Sequence, residues 1–309
     1  MFHGINLIPT NTRIKFIRAR RITFVFSAVI SILSVVAVFW PGINFGIDFR
    51  GGILMEVRAT QGAADLAQMR SQLDTLHLGE VALQDFGSER DVLIRIASQN
   101  DDRANNAAVV RVREALGAGY EIRRTEIVGP KVGSELIQSG MIATVLALIG
   151  IAVYVWFRFE WQFGIAALVA TFHDCITTIG VLAFLQIDFN LASVAAVLTI
   201  AGYSINDTVV IFDRIRENLR KYKTMDFGEL MDRSINETLS RSILTHVTTF
   251  LAVVALVVIG GEVIRSFTIA MVWGVVFGAY SSIFLAAPLL LYMKPVRRSA
   301  ERVASPTTP

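Results

Sequence analysis

Two carboxylates lie inside runs of apolar residues. Asp207 is preceded by Gly202, Tyr203, Ser204, Ile205 and Asn206 and followed by Thr208, Val209, Val210, Ile211 and Phe212, and Asp174 follows His173 near the middle of another run. An ionisable side chain surrounded by hydrocarbon is costly, so it needs a polar partner and marks a candidate ion path. Asp207 lies about six residues, roughly 9 Å at helical rise, from the end of its run. The next apolar run opens with Ser240, Arg241 and Ser242, and Arg241, Thr245 and Thr249 recur every fourth residue as a polar stripe. Counted from the same end of two antiparallel helices, Arg241 falls close to the depth of Asp207. The expected chemistry is a carboxylate and guanidinium at matching depth, in which protonating Asp207 frees Arg241.

A static pair that fixes helix register is the alternative use of the same two residues. The threonine hydroxyls, which could line a hydrated path, favour the titrating one. For His173 and Asp174 the alternatives are a proton relay and a helix-fixing hydrogen bond to Ser or Thr. His246 reads as a packed, hydrogen-bonded histidine.

A lipid environment is what these residues require of the rest of the chain. The mean hydropathy is +0.54, and 53% of the 309 residues are apolar against 18% charged, which points to a polytopic membrane protein. A spanning helix needs about 20 mostly apolar residues, and six segments qualify: about 22–40, 136–157, 162–185, 190–212, 243–260 and 266–293. Residues 1–21 form a basic arm that resembles a signal peptide's charged front, but the long run behind it has no clear cleavage site and reads as a retained anchor. Basic residues before the first span, at Arg158, from Arg214 to Arg233 and from Lys294 to Arg302 all fall on one side of a six-pass topology. That side is expected to be the cytoplasm, with both termini and the tail 294–309 in it.

Residues 41–135 fall on the other side. Alternating apolar positions predict strands at 53–59, 81–86, 92–97 and 121–128, with helices at 64–76 and 105–116 between them. The order β-α-β-β-α-β is that of a ferredoxin-like α+β domain, a four-stranded sheet with two helices on one face. The glycine-rich stretch Gly46 to Gly52 reads as a turn out of the membrane into the first strand.

Several function classes drop out. The chain has no phosphate-binding loop, no zinc-protease helix and no serine-nucleophile elbow, so enzymatic hydrolysis is not expected, and neither is any cofactor. The single cysteine, Cys175, allows neither an intramolecular disulfide nor a cysteine-based metal site. A formal charge of +3, with the basic residues at the ends of apolar runs, does not suggest a nucleic-acid partner. The sequons at Asn206 and Asn236 fall in a span and on the cytoplasmic side.

The remaining patterns concern packing and the membrane surface. Asp213, Arg214 and Arg216 read as an interfacial charge network, with Asp213 and Arg216 at i, i+3. Residues 225–239 read as an amphipathic segment lying along the cytoplasmic surface in contact with lipid. Ala270, Gly274, Gly278, Ser282 and Ala286 put a small residue at every fourth position of the last span, a face for close helix packing.

Four stretches together resemble one family: Gly46 to Gly52 (GIDFRGG), Gly202 to Asn218 (GYSINDTVVIFDRIREN), Asn236 to Ser242 (NETLSRS) and Gly278 to Ser282 (GAYSS). They are similar to the SecD/SecF protein-export family, whose membrane fold is related to the resistance-nodulation-division transporters. The resemblance runs from about residue 20 to 293, includes His173 and Asp174, and assigns Gly46, Asp48, Gly51 and Gly52 to a family motif. It implies a six-helix half of a resistance-nodulation-division-like bundle, a complex with SecD, docking to the SecYEG channel, and contact with the translocating preprotein, with YajC as a further candidate partner. It also implies use of the proton-motive force in late, ATP-independent translocation, with Asp207 and Arg241 at the family's intramembrane ion-pathway positions. The rival readings are a small-molecule efflux transporter, usually a longer chain with two large soluble domains, and an assembly factor whose charged pairs never titrate.

Overall fold

A computed structural model describes residues 12–99 and 101–293. The basic tail 294–309 and the first half of the N-terminal arm lie outside the described residues. A 3-10 turn, Phe16–Ala19, leads into α1, Arg20–Ala37. After the turn Val38–Gly42 come the short α2, Ile47–Arg50, and then β1, Gly52–Ala59; α3, Leu66–Asp74; β2, Val81–Phe86; β3, Ser88–Ile96; α4, Asp102–Leu116; and β4, Tyr120–Val128. Long helices follow: α5, Pro130–Arg158; α6, Trp161–Phe184; α7, Leu191–Lys221; α8, Phe227–Ile259; and α9, Arg265–Ser281, which runs through a π turn at Ser282–Ala286 into α10, Ala287–Met293. Among the described residues, six helical segments are long and apolar enough to cross a membrane, and the chain is a multi-pass membrane protein.

The sheet order is β2-β3-β1-β4 with every neighbour antiparallel. With α3 and α4 in their places along the chain, this is the split β-α-β arrangement expected from the hydrophobic alternation. Ile53, Met55 and Val57 of β1 and Ile94 and Ile96 of β3 point to one face, where Met69 and Leu73 of α3 and Val109 and Val112 of α4 complete a buried core. Asp65 caps α3 by accepting from Ala67 N and Gln68 N, and Asp101 caps α4 through Ala104 N. The opposite face carries Leu54, Glu56, Arg58, Leu93 and Arg95 and looks toward the bundle.

The bundle is layered by burial. Half or more of the span residues are buried in α6, α7 and the α9–α10 segment, whereas only 6% are in α5. Glycines set the close helix contacts: a Cβ at Gly274 of α9 would collide with Ile200 of α7, and one at Gly180 of α6 with Ser34 of α1.

The structure departs from the sequence reading in α8. The amphipathic segment and the fifth span are one continuous helix of 33 residues. Leu230, Met231, Ser234, Ile235, Thr238, Leu239, Ser242 and His246 form a single buried face along it. That face packs on α7 rather than standing free on a membrane surface.

Candidate functional site

A band of buried polar side chains crosses the middle of the bundle. It starts at Asp174 of α6, which is fully buried. Its Oδ1 lies 2.9 Å from His173 Nδ1, and its Oδ2 accepts from Ser204 Oγ of α7 at 2.5 Å and from Ser281 Oγ of α9 at 2.6 Å. One carboxylate thus ties together the three inner helices, and hydroxyl donors satisfy it where water cannot reach. The outer nitrogen of His173, Nε2, is buried without a hydrogen-bond partner among the described residues, and its ring lies 6.4 Å from that of Tyr280. Tyr280 in turn donates to Thr23 O of α1 at 2.8 Å and meets Ser27 Oγ at 3.0 Å.

Asp207 lies one turn beyond Ser204 on α7 and is 7% exposed. Its Oδ1 accepts from Ser242 Oγ of α8 at 2.7 Å, while its Oδ2 is buried with no hydrogen-bond partner among the described residues. No ion pair joins Asp207 to Arg241 among the described residues, and Arg241 is exposed on the outer side of α8. The expected pair is therefore replaced by a hydroxyl contact. Adjacent helical residues differ by about 100° in direction, so turning Ser242 toward α7 turns Arg241 away. The same rotation moves the predicted threonine stripe to the edge of the contact, where Thr245 Oγ1 bonds back to Arg241 O of its own helix at 2.9 Å. The residues facing inward are Ser242 and His246. Thr208 beside Asp207 shares a hydrogen bond of 2.8 Å with Ser282 Oγ, which connects the α7 cluster to the small-residue face of α9.

The small-residue face lies against α7. Ala270, Gly274, Gly278 and Ser282 are buried there, with Gly278 opposite Ser204.

Charged groups gather at the end of the bundle away from the sheet. Asp213 accepts from Arg158 Nη2 of α5 at 2.5 Å and lies 3.8 Å from Arg216. Arg214 bonds Glu237 and Glu217, each at 2.6 Å. Glu237 also accepts from Asn218 at 2.8 Å and from Arg233 at 2.9 Å, so it is the hub between α7 and α8 that the sequence reading missed. Asp232 and Asn236 of α8 hold the N-terminal arm by accepting from Ile17 N and Ile14 N.

At the other end, the glycine turn joins the bundle to the sheet. Gly51 and Gly52 adopt φ of +70° and +127°, and a Cβ at Gly52 would lie 2.5 Å from Ile96 O, so the turn into β1 needs glycine on both counts. Gly46 N donates to Phe189 O at 2.9 Å. Asp48 Oδ2 accepts from Leu191 N at 2.9 Å, adding to the capping box of Asn190 and Ser193 at the start of α7. Asp188, in the loop between α6 and α7, accepts from Asn44 Nδ2 and forms an ion pair with Arg95 of β3. The helix that carries Asp207 is thus fixed at its far end to the turn and the sheet. A cleft of about 410 Å³ separates the sheet's polar face from these loops, lined among others by Glu56, Arg124, Glu126 and Gln186.

Residues 109–296 match the family described as protein export membrane protein SecD/SecF, C-terminal, and residues 37–63 match the SecD/SecF GG motif. The protein translocase subunit SecF of Rickettsia rickettsii (strain Sheila Smith) is 47% identical over 294 residues, covering 93% of this chain and 94% of that protein. The subunit of the same description from Rickettsia prowazekii (strain Madrid E) is 45% identical over 291 residues, covering 93% of both. Among solved structures, SecDF from Thermus thermophilus, described as a translocon-associated membrane protein, superposes with a TM-score of 0.84 at 33% identity, covering 93% of this chain and 40% of that one. A second SecDF structure, in a super-membrane-facing form, gives 0.67 at the same 33% identity over 92% of this chain and 39% of that one. The present chain spans about two fifths of the SecDF chain.

Proposed function

The chain belongs to the SecD/SecF protein-export family, and from that premise we propose that it is a SecF-type subunit that assists preprotein translocation late in export, driven by ions rather than by nucleotide. In this reading it lies in the bacterial inner membrane in complex with SecD and docks on SecYEG, with YajC as a further partner. Arg158, Arg214, Arg216, Arg220, Lys221 and Arg233 all belong to the end of the bundle opposite the sheet, which supports a cytoplasmic location for that end and for both termini. The sheet domain then faces the periplasm and the emerging preprotein.

The observation that carries the ion-coupled reading is Asp207: a buried carboxylate, bonded through one oxygen to a hydroxyl and paired with no cation among the described residues, on a helix whose other end is tied to the sheet domain. An uncompensated buried charge is costly, so gain of a proton changes the preferred packing of α7 against α8. Neutral Asp207 gains a donor and weakens as an acceptor for Ser242, and α7 transmits the shift through its cap to Asp48 and through Asp188 to Arg95. Arg241, exposed on α8, belongs to the path as a group that meets the partner side rather than as the direct counter-ion. His173 and Asp174 are its second station. A proton moving down about 150 mV releases roughly 3.5 kcal/mol, sufficient to bias a two-state movement by a few hundredfold.

The test of the assignment is depletion of the chain in its own cells. Precursor of a secreted reporter should accumulate, and the tagged chain should co-purify with SecD in mild detergent. Normal export after depletion, or a chain that purifies alone, contradicts it.

A further inference from the structure

We infer that His246 is the proton-exchange partner of Asp207, placed on the sheet side of the carboxylate so that a proton arriving from that side meets the imidazole first. The inference rests on the ion-coupled reading above and adds to it a residue that the sequence reading set down as packing.

The geometry comes from two one-turn pairs on antiparallel helices. On α7, Tyr203 and Asp207 are separated by four residues, and on α8 Ser242 and His246 are too, so each pair shares a face. Asp207 meets Ser242 at 2.7 Å, and the Tyr203 ring meets the His246 ring edge-on at 5.2 Å between centroids. Ser242 joins the two acid–base groups directly. Its hydroxyl donates to Asp207 Oδ1, and its backbone carbonyl lies 2.7 Å from His246 Nδ1. A carbonyl only accepts, so Nδ1 carries a hydrogen, and Nε2 is the nitrogen left to gain or lose a proton.

Both groups have an atom to spare. His246 is 8% exposed and its Nε2 is buried without a hydrogen-bond partner among the described residues, as is Oδ2 of Asp207. Buried polar atoms are nearly always satisfied, and two orphans one helical turn apart at one helix contact require an explanation. Proton exchange supplies it. When Asp207 carries the proton, the O–H bond at Oδ2 is intact and the imidazole is neutral. When His246 carries it, that bond has broken, an N–H bond has formed at Nε2, and an imidazolium faces a carboxylate. The gap between the two atoms exceeds direct hydrogen-bond reach, so transfer requires a bridging water or a small approach of α8 to α7.

The other titratable groups around this contact are Tyr203 on α7, His173, Asp174 and Cys175 on α6, Arg241 on α8 and Tyr280 on α9. Asp174 already has hydroxyl donors at Oδ2 and His173 at Oδ1, and Tyr203 donates to Thr245 O at 3.3 Å. Arg241 is exposed and forms no ion pair with Asp207 among the described residues. Position along the bundle gives the direction: α8 runs toward the sheet side, so His246 is one turn closer to it than Ser242 and Asp207.

The test uses cells whose only copy of the chain is His246→Phe, which keeps a ring against Tyr203, or His246→Asn, which keeps an amide N–H for Ser242 O. Export of a secreted reporter is measured at external pH values between about 5 and 8, the range in which imidazole changes charge, with membrane levels checked by blot and Asp207→Asn alongside. Both variants should lose about tenfold or more of the proton-driven rate together with the pH dependence of export, and the double variant with Asp207→Asn should fall no further. A stable His246 variant with the wild-type rate and pH profile overturns the inference. If Asp207→Asn is silent, ion coupling at Asp207 fails and takes this inference with it; if Asp207→Asn is defective and the His246 variants are not, only His246 is misassigned.

Discussion

Arg95, on the polar face of the sheet, forms an ion pair with Asp188 in the loop that starts the Asp207 helix. This pair links the soluble domain to the membrane bundle, and Asn44 holds the same carboxylate at 2.8 Å. If the domain swings during export, this contact must open. Locking it with a short bis-maleimide across Arg95→Cys and Asp188→Cys should stop export and leave assembly unchanged; native Cys175 is buried and will not compete. Full export by the locked protein contradicts a moving domain.

The sheet domain carries its own pH dependence. Arg58 clamps Asp91 through two bonds of 2.5 and 2.6 Å, and Ser88 adds a third of 2.6 Å. The Arg58 guanidinium foremost, with the Ser88 hydroxyl, holds the Asp91 carboxyl down at about 2. A carboxyl held below its unfolded value contributes stability that is present in full above that value, about 4, and is lost as pH falls through about 2. Protection of the β1 and β3 amides, taken relative to free-peptide exchange at each pH, should therefore fall between about pH 4 and 2. In Asp91→Asn that protection should be lower already at neutral pH and lack the acid step. An unchanged acid step in the variant would assign it to another group.

Neighbouring glycines on α9 should respond differently to the same change. A methyl group at Gly274 runs into Ile200, whereas at Gly278 its nearest contact is Ser204 Cβ at 3.7 Å. Gly274→Ala should cost about 1–3 kcal/mol from overpacking, and Gly278→Ala under about 0.5 kcal/mol. Thermal unfolding of the detergent-solubilised protein measures both. Equal effects would mean that the α7–α9 contact is looser than described.

Much of this architecture is legible in the sequence, because hydrophobic period and length are enough to find spans and strands. The β-α-β-β-α-β order follows from alternation, and Asp174 and Asp207 stand out because lipid makes any carboxylate conspicuous. The direction each helix faces is harder to read. Charge favours Arg241 over Ser242 and His246 as long as residues 225–239 and 243–260 are read as separate elements. Followed as one helix, the buried face Leu230, Ser234, Thr238, Ser242 and His246 keeps a single phase and turns Arg241 outward. Glu237 is hard to find for a different reason: its partners Arg214 and Asn218 lie on another helix, and no local spacing announces such a hub.

Ion coupling at this site requires that Asp207 gain and lose a proton during export. The most direct measurement is export of a secreted reporter in cells whose only copy of the chain is Asp207→Asn, which keeps the acceptor for Ser242 but cannot titrate. Export should fall about tenfold or more while the chain remains in the membrane with its partner. Unchanged export at an equal membrane level would show that the Asp207 contact only holds α7 against α8.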